Sequence, residues 1–331
     1  MAIIAFTSPP KKNAVFVIHN GYKEYLAYCL RFAKRSGNIV ILVSDKESLE
    51  RLTPYYDFGV DDNIVLPDYE KFKSQYKHMS TNEEGFELLC FKRFFLMKVI
   101  AEQYSLNNFF LIDSDIALLE NISTLSERFS EDHISASLSI QKSAYSDSAW
   151  AASPHFSFWT LESISGFILF LSALYLEKID TLLEKYNYHL SNGLAGGICD
   201  MTALFLWQVK VTGHINNAII GNIDGWLIDH NVNISTNYSD EQFSMVPLYN
   251  IKKIKFNKQF VAYSKSLAAY IPVLALHFQG SGKVYMKPFY EKKRLTFAVA
   301  LLSNPSQFFR SIIPLPIKNL LRSLFIRIKL R

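Results

Sequence analysis

Two aspartates one residue apart, Asp113 and Asp115, directly follow the apolar stretch Phe109-Phe110-Leu111-Ile112. If that stretch is a strand, both carboxylates stand at its C-terminal end, where open parallel sheets bind their ligands. Carboxylates so close repel one another and are costly to keep ionised. A divalent cation relieves the repulsion, and Mg²⁺ and Mn²⁺ take carboxylate oxygens while also holding phosphate. The plainer alternative is that Asp113 ends the strand and Asp115 caps a turn.

A second segment could serve the same chemistry. The run Leu274-Ala275-Leu276-His277 leads into Phe278-Gln279-Gly280-Ser281-Gly282-Lys283. An imidazole at His277 suits Mn²⁺. Gly280 and Gly282 would let backbone N–H groups approach an anion, and Lys283 would add a cation. A histidine at the edge of the core followed by a lysine on a hairpin turn is the other reading.

Two further positions stand out. Lys92 and Arg93 interrupt an apolar helical pattern, and a buried cation needs a partner. Asp113 or bound phosphates would serve Arg93, whereas Lys92 is expected to run its stem along the helix to solvent. Asp200 follows Gly196-Gly197 and precedes an apolar helix, a position that an N-cap role alone would explain.

The elements around these residues form a pattern. A β run at 14–18, a helix with apolar spacing from 22 to 33 closed by Gly37, and a β run at 39–43 make a βαβ unit, hence a parallel sheet. A short helix at 46–52 and a third strand at 63–66 are expected next. Residues 80–84 carry capping-box spacing before a long helix over 87–104, apolar almost all round and therefore buried. Strands are expected at 109–112, 133–140, 155–160, 251–256 and 273–277, and helices at 172–186 and 200–209.

Taken together, the two site segments resemble the GT-A glycosyltransferases. In the retaining members, such as glycogenin and bacterial lipopolysaccharide hexosyltransferases, a DxD follows an apolar strand and a His-x-x-Gly-x-x-Lys lies far downstream. His277, Gly280 and Lys283 match the latter. The resemblance covers roughly residues 14–287 and implies an α/β fold with a mixed, mainly parallel sheet flanked by helices. It implies a metal, Mn²⁺ or Mg²⁺, held by Asp113, Asp115 and His277. Lys283, with Gly280 and Arg93, would meet the phosphates of a nucleotide-sugar donor, with uridine as the base.

Ser165-Gly166 resembles the family's sugar-site strand. Asp200 stands where the family places an acidic sugar-contacting or catalytic residue, and Asp229-His230-Asn231 resembles an acceptor-side strand. The implied reaction moves a hexose or N-acetylhexosamine, with retention, to a cell-surface glycan or lipid-linked acceptor, as in lipopolysaccharide or capsule biosynthesis. Val284-Tyr285 replace the family's Pro-Trp after the lysine, a departure that touches the retaining assignment more than the fold.

Two other classes compete. A haloacid-dehalogenase-type phosphatase also starts from an apolar strand ending in DxD. It wants Thr or Val where Ala117 stands, and no βαβ unit before the motif. A non-catalytic, membrane-associated nucleotide-sugar-binding protein would keep the same residues without turnover.

Composition narrows the rest. The 331 residues are 49% hydrophobic, enough for a large core and against disorder. Three scattered cysteines, Cys29, Cys90 and Cys199, read as buried thiols in a reducing compartment rather than a disulfide framework or zinc site. No signal peptide is expected, and the longest apolar run, 166–176, falls short of the roughly 20 residues that span a bilayer. Nine of the 35 basic residues lie after Glu291, where there is no acid, so residues 1–291 hold 26 bases against 30 acids, a net −4. That balance argues against nucleic acid as a partner of the body. Residues 292–331 instead suit a basic amphipathic tail at an anionic bilayer, placing a cytoplasmic protein on the inner face of the membrane.

Overall fold

The computed structural model describes residues 14–145, 149–210, 215–217, 225–238, 241–246 and 250–291. The tail assigned from residue 292 onward lies outside the described residues. In chain order the first elements are β1 (Ala14–Ile18), α1 (Glu24–Arg35), β2 (Ile39–Ser44), α2 (Lys46–Leu52), β3 (Phe58–Asp61), α3 (Pro67–Gln75), α4 (Glu84–Gln103) and β4 (Asn108–Ile112). Next come β5 (Ile116–Leu118), α5 (Ser123–Glu131), β6 (Ala136–Ile140), β7 (Ala152–Thr160), α6 (Leu161–Leu176), α7 (Ile179–Ser191), α8 (Asp200–Lys210) and β8 (Ile215–Asn217).

These strands form one mixed sheet in the order β3-β2-β1-β4-β7-β6-β8. Only β7 runs against its neighbours, so the sheet is mainly parallel, as expected. Both faces are covered. Val15 and Val17 of β1 pack with α1 on one side, while Ala14 and Phe16 pack with α3, α4 and α6 on the other. Burial on both faces explains why β1, β2 and β4 read as unbroken apolar runs rather than alternating ones. The strand order reverses at β1, with β2 on one side and β4 on the other, so a crevice opens at the C-terminal ends of these strands.

The remaining strands are β9 (Leu227–Ile228), β10 (Met245–Val246), β11 (Ile251–Lys252), β12 (Ile254–Asn257), β13 (Gln259–Ser264) and β14 (Ala269–His277), followed by α9 (Met286–Tyr290). A second sheet runs β12-β13-β14-β5, with β9 also paired to β14. The chain thus leaves the first sheet at β4, turns through Asp113-Ser114-Asp115, and joins the second as β5. α9 packs back on α1 through Tyr290 against Tyr28 and Phe32.

Several expectations shift. The third strand lies at 58–61 instead of 63–66, because Pro67 opens α3 and residues 63–66 form its lead-in, with Val65 84% exposed. No side chain caps α4 at Glu83. Ser80 and Asn82 donate instead to the buried Glu87 carboxylate, at 2.7 and 2.8 Å. The helix expected at 172–186 is two helices, α6 and α7, broken at residues 177–178. Ser165-Gly166, expected on a sugar-site strand, sits inside α6. The reason is local: Thr160 and Ser163 form a reciprocal capping box that starts a helix at Leu161, and the Ser165 hydroxyl donates to the Leu161 carbonyl. Among the described residues no helix is long and apolar enough to cross a membrane.

Candidate active site

The strand register places the site. β4 ends at Ile112, and the Asp113 N–H continues the ladder by donating to the His155 carbonyl of β7 at 2.8 Å. After the turn, Ile116 of β5 stands opposite His277 of β14, and the Phe278 N–H donates to the Asp115 carbonyl. Asp113 is therefore held by the first sheet, and Asp115 and His277 by the second. Potential ligand atoms of Asp113, Asp115 and His277 all lie within 4.8 Å of one another.

His277 is held like a metal ligand. Its Nδ1 donates to the His230 carbonyl at 2.7 Å, which turns Nε2 toward Asp115 Oδ1 at 3.3 Å. Burial pulls the His277 pKa down, but the hydrogen bond and charge of Asp115 outweigh it and leave the net direction upward. The carboxylates are pushed apart. The Asp113 side chain keeps 35% of its surface open to the cleft. Even so, desolvation raises its pKa, Arg93 opposes the rise, and the Asp115 charge adds to it. For Asp115 burial also acts upward, but His277 and Lys283 outweigh it and hold the carboxyl below the usual range. Two carboxylates and an imidazole facing one point fit Mn²⁺ or Mg²⁺ in donor type.

Arg93 projects from α4 between two carboxylates. It donates to Asp113 Oδ1 at 3.1 Å and forms an ion pair with Asp200. Of the partners expected for it, Asp113 is present, and Asp200 is one that sequence reasoning did not pair with it. Asp200 is the first residue of α8 rather than its cap. Its Oδ1 accepts the Met201 N–H at 2.9 Å, and the Thr202 and Ala203 N–H groups go to the Cys199 carbonyl. Lys92 meets the Asp62 carbonyl at 2.8 Å and does not reach the site.

The loop after β14 is a 3₁₀ helix over Gly280–Tyr285. Gly280 has φ +59, and Gly282 has packing reasons to lack a side chain, since a Cβ would lie 2.8 Å from Asn233 Oδ1. Lys283 Nζ lies 3.3 Å from Asp115 Oδ2 and over the Tyr25 ring. The Asp229-His230-Asn231 segment, expected on an acceptor side, backs His277. Asp229 is fully buried with Lys252 at 2.6 Å, and its Oδ2 accepts the His277 N–H at 3.2 Å.

A cleft of about 500 Å³ opens over these groups. Its lining includes His19, Arg93, Asp113, Asp200 and His277, with Phe86, Leu89 and Met201 giving an apolar side. His19 donates to or accepts from Ser114 Oγ at 3.0 Å through Nδ1, while its buried Nε2 has no hydrogen-bond partner among the described residues. Cys90 and Cys199 also line the cleft and are only partly buried, unlike Cys29. Burial raises all three thiols, Cys199 to about 11, which leaves them unreactive.

His19, Ser153, His155 and Tyr238 were not singled out by sequence reasoning. His155 is stacked on His277, with centroids 4.6 Å apart and planes 11° apart, and on Tyr238 at 6.0 Å. Burial holds the His155 pKa well below normal and that of His230 at about 4, so both rings are neutral. Of eight histidines, His19, His155, His230 and His277 gather at or behind this cleft, a clustering that only the fold brings about.

No protein-family model matches the sequence, and no curated protein matches it either. Among solved structures, mouse xyloside xylosyltransferase 1 is similar with a TM-score of 0.45 and 12% identity, over 62% of this chain and 85% of that one. The galactosyltransferase LgtC, with donor and acceptor sugar analogues, gives 0.41 and 11% over 86% and 97%. The glycosyltransferase GlyE of Streptococcus pneumoniae gives 0.31 and 14% over 63% and 45%.

Proposed function

We propose that the protein is a metal-dependent glycosyltransferase of the GT-A type. The observation that carries this reading is the convergence of Asp113, Asp115 and His277 on one point, with Asp113 and His277 lining a cleft at the end of the central strands. A divalent cation bound there supplies the positive charge that a departing nucleoside diphosphate requires. Around it, Lys283, 3.3 Å from Asp115, would take a phosphate oxygen. Arg93 fixes Asp113 and Asp200 relative to each other. The phosphatase alternative fits less well, since β1, β2 and β3 precede the carboxylate strand and Asp113 is tied to Arg93.

We assign retention of configuration. Both oxygens of Asp200 already accept hydrogen bonds, from Arg93 and from the Met201 N–H. A carboxylate so engaged suits contact with the sugar better than removal of a proton from an acceptor. The donor is assigned as a UDP-hexose or UDP-N-acetylhexosamine and the acceptor as a glycan or lipid-linked glycan. The basic tail would bring the protein to an anionic bilayer. That part rests on sequence charge alone, and vesicle co-sedimentation tests it: equal binding to anionic and neutral vesicles, or none, rules it out.

The deciding experiment is a thermal-shift screen of nucleotide sugars with and without Mn²⁺, followed by an assay of donor hydrolysis. A shift that requires both metal and nucleotide sugar, with slow hydrolysis, supports the assignment. Binding without any turnover, whatever the acceptor, favours the non-catalytic binding protein.

A further inference from the structure

Behind the cleft, side chains from separate parts of the chain join in one hydrogen-bonded series. Gln141 Nε2 donates to His230 Nε2 at 2.7 Å. A neutral imidazole that accepts at Nε2 carries its proton on Nδ1, and His230 Nδ1 faces the Tyr238 hydroxyl at 3.3 Å. Tyr238, which also accepts from the Ser139 hydroxyl, accepts there and turns its own proton to His155 Nε2 at 2.8 Å. His155, accepting at Nε2, must then donate from Nδ1 to Ser153 Oγ at 2.9 Å. The His155 backbone N–H approaches the same oxygen at 3.5 Å.

Every proton in the series therefore points the same way, and the last one is left over. Ser153 Oγ is already an acceptor, and among the described residues its hydroxyl proton has no acceptor. Ser153 lines the cleft. His155 meanwhile touches both halves of the metal-site geometry: its carbonyl accepts the Asp113 N–H, and its ring lies flat on His277.

We propose that Gln141, His230, Tyr238, His155 and Ser153 form a one-way hydrogen-bond relay that makes Ser153 an obligate donor to an oxygen of the bound sugar, with His155 as its positioning residue. The sugar rests on the glycosyltransferase reading above, whereas the direction of the relay does not. A serine free to rotate would accept or donate and tolerate several substituents. A serine with its oxygen occupied demands a lone pair from the ligand, and so selects a hydroxyl or ring oxygen at that place.

The relay is tested first without ligand. Side-chain ¹⁵N NMR of the full chain should show His155 and His230 both protonated at Nδ1 and bare at Nε2. An Nε2-protonated or doubly protonated His155 overturns the proposal. The second test is calorimetric titration with Mn²⁺-UDP and with Mn²⁺-UDP-glucose or Mn²⁺-UDP-galactose. Ser153→Ala and Tyr238→Phe, the latter keeping the stacked ring, should each weaken UDP-hexose binding about fivefold, the worth of one neutral hydrogen bond. UDP binding should not change, and the double variant should be no weaker than either single one. Losses that add together, or that fall equally on UDP, overturn the proposal. Failure of the wild-type chain to bind either nucleotide would instead overturn the glycosyltransferase reading, and the tautomers would still decide the relay.

Discussion

His277 stands in register opposite Ile116 across β14 and β5, which sets its imidazole beside Asp115, the residue before the strand. A one-residue slip of this pairing would turn the imidazole to the other face. The site therefore depends on the pairing of two short segments far apart in the chain.

The carboxylates are predicted to serve the ion and not the core. Asp113→Asn and Asp115→Asn should keep the native circular dichroism spectrum. Mn²⁺ affinity and transfer should fall by more than the roughly 10–100-fold seen when only a supporting residue is lost at a metal site. Metal-dependent turnover at the native level in both variants would remove the ion from this place.

Arg93 should matter to stability as well. Its removal leaves Asp113 and Asp200 facing the cleft floor without their shared partner. Arg93→Met should lower unfolding stability by about 3 kcal/mol, the lower end for a broken buried pair because the cleft is partly open. Urea midpoints measure this, and a loss below about 1 kcal/mol would mean the bridge contributes little.

The Asp229–Lys252 pair separates stability from metal positioning. Lys252→Met alone strands a fully buried carboxylate and should cost about 3–5 kcal/mol. Adding Asp229→Leu should restore most of that stability. The double variant should still bind Mn²⁺ about 10–100-fold more weakly, because the His277 N–H loses its acceptor. Native metal affinity in the double variant would show that this support is dispensable.

Lys185 gives a pH prediction. Its Nζ donates to the Ala149 and Trp150 carbonyls and to the Thr202 hydroxyl, and burial pulls its pKa down from 10.5 to about 8. Between those values the unfolded chain holds more protons than the folded one, so stability rises with pH across this window. Compared with Lys185→Met, the native chain should gain stability from about pH 8 to about pH 10. A constant difference in denaturant midpoints would contradict the assigned shift.

Much of the framework was legible because it is written in local patterns. The βαβ start, the strand ending in Asp113-Ser114-Asp115 and the run to His277 each carry their signal within a few residues. Ser165-Gly166 misled because a short apolar stretch suits strand and helix alike, and the Thr160–Ser163 capping box decided for helix. The Tyr238–His155–His277 stack left no such trace. Its rings come from three distant segments with no common period, and the pairing of β4 with β7 and of β14 with β5 and β9 brings those segments together.

One rim of the cleft is laced largely by main chain. Ser80 bridges to Gly197, the Thr81 N–H donates to the Gly196 carbonyl, and the Ile198 N–H donates to the Met79 carbonyl. Gly197 has φ +128, and a Cβ there would lie 2.3 Å from the Met79 carbonyl oxygen. Most residues along this seam can therefore vary over evolution without changing the width of the entrance, since few side chains set it. Gly197 is the exception, a hinge pin that admits no replacement. A lineage adapting to a bulkier substrate would sooner reshape Phe86, Leu89 or Met201 on the cleft wall than loosen this seam.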